Sequence, residues 1–175
     1  NRSNLVINLG EDLVVDTVGD AVFFKTNGTL NSSATIKAHT FGIVTNGEKT
    51  GAEINILGGS VTADSYGIYA PADGSVLVSG ASITGGLTGI ELRAGSLEIR
   101  NSEIASTADH FSANANGNGT TIVGAAVAIS QHNTNKDINV EIESGTFTGI
   151  YAVYETDLQD SSTGKTSIAI SGGTF

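Results

Sequence analysis

Apolar residues recur along the chain in a pattern that fits neither an amphipathic helix nor a hairpin. Five segments share it: Ile54, Ile56 and Val61; Val76, Val78 and Ile83; Leu97, Ile99 and Ile104; Val140, Ile142 and Phe147; Ile168, Ile170 and Phe175. In each, two apolar residues alternate with one polar or outward position, a corner of small residues follows, and a third apolar residue stands seven positions after the first. Ile7, Leu9 and Val14 keep the same spacing, and Leu30 with Ile36 keeps it with one residue missing. Alternation of this kind gives a strand one buried face.

Six of the seven units continue into a third apolar strand, marked by a small residue before a branched one: Ala21–Val22, Gly42–Ile43, Gly67–Ile68, Gly89–Ile90, Ala126–Val127 and Ala152–Val153. The first-strand positions Ile7, Leu30, Ile54, Val76, Leu97, Val140 and Ile168 are separated by 23, 24, 22, 21, 43 and 28 residues. A unit of this size cannot bury its own Ile and Val. Stacking units at the parallel-strand spacing of about 4.8 Å joins them into one apolar column. The pattern predicts an all-β fold, a single-stranded parallel β-helix of about seven coils with three short strands per coil, forming one domain over residues 1–175.

The corner after the first strand carries Gly58, Gly80, Asn101, Ser144 and Gly172, residue types that tolerate left-handed backbone angles or bond to their own backbone. Composition agrees. Ile (17) and Val (13) outnumber Leu (10) threefold, which favours strands.

The Ile168–Phe175 ending and the Ser144–Tyr154 stretch, which runs from a Ser-Gly-Thr-Phe corner into a Gly-Ile-Tyr-Ala-Val-Tyr strand, resemble right-handed parallel β-helix proteins of bacterial surfaces. These include adhesin-like repeats and, more distantly, the pectate-lyase-like superfamily. The resemblance spans essentially the whole chain. It implies right-handed coiling and an extracellular or cell-surface, bacterial setting. It leaves function open, because the same fold carries lyases, hydrolases, phage spikes and inert stalks.

Three insertions interrupt the repeat, at about 107–123, 131–137 and 155–166. Loops on a solenoid are where binding is usually placed. The first is nonetheless expected to be a mobile excursion, dispensable for folding, because Ile104 and Val127 can be joined by a short turn. The seventh unit stops at Phe175 and no amphipathic capping helix is visible. The segment is therefore expected to be a piece of a longer surface protein, with uncapped ends open to self-association.

Charge and composition narrow the chemistry. Eight Lys and Arg against 18 Asp and Glu give 8 − 18 = −10, and the cations are scattered, which argues against nucleic acid. No apolar run approaches the length of about 20 residues that spans a bilayer, so no membrane span is expected in this segment. There is no Cys, which excludes thiol catalysis and Cys-ligated metal. His39, His110 and His132 have no metal-ligand spacing, and no cofactor is implied.

Two outward columns on the first sheet bring Glu98 and Glu141 onto neighbouring coils, with Arg100 and Glu143 alongside. A carboxylate pair about 5 Å apart would suit a retaining glycosidase; the competing reading is a solvated face on which Arg100 offsets its acidic neighbours. The outward column of the third strand reads Phe23, Val44, Tyr69, Glu91, Ala128, Tyr154. Phe23, Val44 and Tyr69 make an apolar stripe that either contacts a partner or lies under the loop at Asn46–Thr50 or the N-terminal strand. Phe41, Tyr66 and Tyr151 flank the same strand and are expected to fill corners by turning inward. With Tyr154 and the arm residues His110 and Phe111, the stripe supplies the candidate binding residues. The expected function is a non-enzymatic extracellular adhesin-like or structural display module that binds a glycan or host protein. The rivals are a carbohydrate-active enzyme on the same β-helix and an autotransporter passenger segment.

Overall fold

A computed structural model describes residues 5–47, 50–114, 119–131, 136–157 and 164–175. The chain coils into three parallel sheets. The first sheet stacks Val6–Leu9, Gly28–Ser32, Thr50–Ile56, Asp73–Ser79, Gly95–Arg100, Ile138–Ile142 and Thr166–Ile170. The second stacks Val14–Thr17, Thr35–Ala38, Ser60–Ala63, Ser82–Gly85, Ser102–Ser106 and Gly145–Thr148. The third stacks Val22–Phe24, Phe41–Thr45, Tyr66–Ala70, Thr88–Leu92, Ala125–Ser130 and Tyr151–Thr156. Each coil contributes one strand to each sheet, giving six complete coils and the first strand of a seventh. Among the described residues there is no helix, hence none long and apolar enough to cross a membrane.

The register follows the apolar repeat. Ile7, Leu30, Ile54, Val76, Leu97, Val140 and Ile168 pair in succession up the first sheet. Val22, Ile43, Ile68, Ile90, Val127 and Val153 do the same in the third. In the second sheet the inward column is Val15, Ile36, Val61, Ile83, Ile104 and Phe147. Here the first coil differs from the spacing: Val15 packs on the core, while Val14 is exposed. The turn in which Leu13 N–H donates to the Gly10 carbonyl adds one residue before the strand.

These columns merge into one continuous core. The small residue before each third strand is a packing requirement. A Cβ on Gly67 would lie 2.6 Å from Ile83 Cγ2 and 2.7 Å from the carbonyl oxygen of Gly89 on the next coil. The corner between first and second strands demands backbone angles that side chains resist: Gly80 has φ 66° and Asn101 φ 47°. Outside the core, Asn8, Asn31 and Asn55 form an amide ladder, with Asn31 Nδ2 donating to Asn8 Oδ1 at 2.9 Å and Asn55 Nδ2 to Asn31 Oδ1 at 3.0 Å. At the last described coil Ile168 and Ile170 keep the inward register of Val140 and Ile142 but remain exposed.

Candidate functional site

The longest departure from the repeat builds the most structured surface. After Ser102–Ser106 the chain leaves the stack. Ser106 Oγ donates to the Leu87 carbonyl at 2.7 Å, and the Thr107 N–H donates to the Gly85 carbonyl at 3.0 Å. It returns through a two-stranded antiparallel hairpin, Ser112–Ala113 against Ile122–Val123. The described parts of this arm lie against the outer face of the third sheet. Its exit is Gly124 at φ 96°, where a Cβ would meet the His110 carbonyl oxygen at 2.9 Å.

Docking is apolar first. Ile122 is fully buried with Ala125 and Ala128, and Phe111, Ala113 and Tyr154 pack around them. Burying an isoleucine side chain is worth about 1.5–3 kcal/mol. The described parts of the arm are thus packed on the stack, where a free excursion was expected. Phe111 and Ile122 dock because the outward column offers Ala128, whose small side chain leaves room for them.

Polar groups then fix the position. The Ile122 carbonyl accepts from the hydroxyls of Tyr66 and Thr88, each at 2.7 Å. Thr121 N–H donates to both oxygens of Glu91, at 3.0 and 3.1 Å, and Thr121 Oγ1 lies 2.6 Å from Glu91 Oε1 and 2.9 Å from Ser130 Oγ. Arg93, two residues along the same face, has its Nε 4.0 Å from Glu91 Oε1. The guanidinium donates to the Ser130 carbonyl at 3.3 Å, the Tyr69 hydroxyl at 3.4 Å and the Gly119 carbonyl. Glu91 and Arg93 have no solvent exposure.

Burial raises the Glu91 carboxyl from its ordinary 4.5 to about 7, and the Thr121 hydrogen bonds and Arg93 hold back part of that rise. Tyr69 is pushed up to about 12, again chiefly by burial, and the Tyr66 phenol is raised further still for the same reason.

The outward column places the expected stripe differently from a free surface. Phe23 is 47% exposed with Lys25 Nζ 5.3 Å from its ring centre, but Val44 and Tyr69 are buried. They pack with Tyr66, Phe41 and Leu87 in a cluster outside the coil core. Phe41 and Tyr66 therefore do not turn inward; Tyr66 needs its hydroxyl at the arm. Residues 48–49 of the expected covering loop lie outside the described residues.

The arm also brings the Phe111 ring against two tyrosines of the third-sheet strand Tyr151–Thr156. The Phe111 ring centre is 4.8 Å from those of both Tyr151 and Tyr154, which are 5.2 Å from each other. Tyr151 remains 43% exposed beside exposed Ile150. Next to Phe111, His110 Nδ1 pairs with Asp109 Oδ1 at 2.8 Å, which lowers the Asp109 carboxyl. Three of the binding residues expected from sequence, His110, Phe111 and Tyr154, thus lie in one region, with Phe111 and Tyr154 in ring contact.

The remaining candidates lie elsewhere. Glu98 and Glu141 are register partners on neighbouring coils, and Glu98 is paired with Arg100; Glu141 and Glu143 are exposed. An open groove of about 210 Å³ runs along the second sheet beside the exposed His39–Asp64 pair, whose Nδ1···Oδ2 distance is 2.7 Å. Among the described residues no three His, Asp or Glu side chains converge as a metal-binding set would. His132 and the central parts of the two later insertions lie outside the described residues. Compared with known proteins, the chain matches no family model, no curated protein and no solved structure.

Proposed function

We propose that the protein is a non-enzymatic, extracellular, adhesin-like display module that holds glycans at the base of its arm. The observation that carries this reading is the trio Phe111, Tyr151 and Tyr154, brought together by an arm anchored on a continuous stack. Exposed rings stack on the apolar faces of sugars, and the neighbouring Asp109 and His110 supply the hydrogen-bonding rim that sugar hydroxyls need. Tyr151 is the ring a ligand would meet; Phe111 and Tyr154 hold it in place. The net charge of −10 and the nearby Asp109 and Glu155 favour neutral or amino sugars over acidic ones. The stack supports a surface role, because a rod of in-register coils sets the platform at a fixed distance from whatever anchors the chain.

The test is glycan-array binding by the wild type and by Tyr151→Ala and Phe111→Ala. Binding to neutral glycans that falls about tenfold or more in Tyr151→Ala is the expected result, in line with the loss of a central aromatic contact. Absence of glycan binding, or binding indifferent to Tyr151, would overturn the proposal. The register pairing of Glu98 and Glu141 favours a rival, a carbohydrate-active enzyme. Product release from pectins, arabinans or mucin glycans that is lost in Glu98→Gln or Glu141→Gln would establish that rival instead.

A further inference from the structure

Beneath the arm lies a carboxyl group that the aromatic platform does not touch. Glu91 is fully buried, and its hydrogen bonds cross from the stack to the arm. Two proton arrangements satisfy the same distances. With Glu91 ionised, the Thr121 hydroxyl donates to the carboxylate and the Ser130 hydroxyl donates to Thr121. With Glu91 protonated, its hydroxyl donates to Thr121 Oγ1, which donates to Ser130 Oγ. Neither state leaves a buried group of this chain of three without a partner.

The surroundings decide which state the docked arm prefers. On its own strand Glu91 faces Arg93, whose guanidinium is divided among the Ser130 carbonyl, the Tyr69 hydroxyl and the Gly119 carbonyl. From the preceding coil it faces Tyr69 and Tyr66, both neutral because burial raises their phenols. From the following coil it faces Ala128 and Ser130, and from the arm Thr121 and Ile122, none of which carries charge. Among the described residues, Arg93, shared with other acceptors, is thus the cation that stands against complete removal of Glu91 from water.

We infer that Glu91 is a proton-linked latch: the arm docks most firmly with Glu91 protonated and loosens when it ionises, so that the platform carried at Phe111 is fully assembled in acid and weakened at neutrality. The second half of this statement rests on the reading of the platform as a binding surface; the latch itself does not. The direction follows from linkage. Burial raises the Glu91 carboxyl from 4.5 to about 7, so under the docked arm it holds a proton that a carboxyl open to water would release between those values. Docking is at full strength below the lower value, declines as pH rises toward the upper one, and is level above it.

Amide hydrogen exchange on the whole chain at pH 5, 6, 7 and 8, corrected for intrinsic rates, tests this. Protection of the Thr121 N–H, which donates to Glu91, should fall by up to about tenfold per pH unit between pH 5 and 7 and level off above. Core amides such as Val78 and Ile99 serve as the control and should hold steady. In Glu91→Gln, which cannot ionise, Thr121 protection should be independent of pH. A flat wild-type profile overturns the latch, as does a Glu91→Gln profile with the wild-type slope. If Glu91→Gln does not fold, the wild-type profile alone decides. The two readings fail separately. Tyr151→Ala should lower glycan binding about tenfold or more and leave the slope intact, whereas a pH slope in a wild-type chain that binds no glycan refutes the platform and sustains the latch.

Discussion

Thr121 and Glu91 stand thirty residues apart in sequence and are joined by three hydrogen bonds, two from the Thr121 N–H and one involving its hydroxyl. That contact turns an insertion into a structural element. A solenoid coil ordinarily touches only the coils above and below it, whereas this arm crosses several at once, reaching Tyr66, Thr88, Glu91 and Ser130 on three successive coils. Its hydroxyl, amide and carbonyl groups take the place of the water that the polar residues of this face would otherwise bind.

Removing the arm should therefore be felt. Replacing 107–123 by a turn of three or four residues uncovers Tyr66, Tyr69 and Glu91 and loses the burial of Ile122, about 1.5–3 kcal/mol on its own. At roughly 2–4 °C per kcal/mol for a domain of this size, the melting temperature should drop by about 5–10 °C. Circular dichroism should still report a β fold. An unchanged melting temperature would mean that the arm merely rests on the face.

Arg93 brings a guanidinium to the clasp, and its planar fork meets the Ser130 carbonyl, the Tyr69 hydroxyl and the Gly119 carbonyl. Arg93→Met takes this donor from all three and should cost about 1–3 kcal/mol, the usual loss when buried acceptors lose a partner. Because Arg93 lowers the Glu91 carboxyl, the same change should carry the decline in arm protection above pH 7. Arg93→Lys should fail to restore stability, since an ammonium cannot reproduce the fork. Thermal unfolding followed at pH 6 and pH 8 checks both points.

The inner ladder should be intolerant of charge. Val78 is fully buried between Ile56 and Ile99 in register. Val78→Asp would place a carboxylate in this column without a partner and should cost about 4 kcal/mol or more. Denaturant unfolding that matches the wild type would contradict the register.

Asn101 holds a left-handed corner that Gly80 holds on the preceding coil. Asn101→Gly should be neutral within about 0.5 kcal/mol, whereas Asn101→Val should cost about 1–2 kcal/mol through the clash of its branched Cβ. Equal stability of the two variants would contradict the backbone assignment.

The coils were legible in the sequence because each depends on local, repeating constraints. An inward Ile or Val recurs every coil, a left-handed corner calls for Gly or Asn, and Gly67 is small because Ile83 and the Gly89 carbonyl leave no space for a Cβ. The one slip, Val14 for Val15, falls where the Gly10–Leu13 turn lengthens the corner. The arm was not legible in the same way. Its path is fixed by Ile122 and Thr121 meeting residues of three other coils, and no repeat encodes that. A signal was nevertheless present: Glu91 breaks the otherwise apolar outward column of the third strand, with Arg93 of opposite charge two residues along, on the coil just before the longest insertion. The pairing of Phe111 with Tyr154 required the arm to be placed first, so the sequence named these rings without showing that they meet.

Aromatic NMR at pH 6, during titration of the full chain with a neutral oligosaccharide, decides whether the proposed platform binds glycan. The ring resonances of Phe111, Tyr151 and Tyr154 should shift together and saturate, while those of buried Tyr66 and Tyr69 stay in place. Shifts confined to the His39–Asp64 groove or to the Glu98–Glu141 coils, with the three rings unmoved, would contradict the platform.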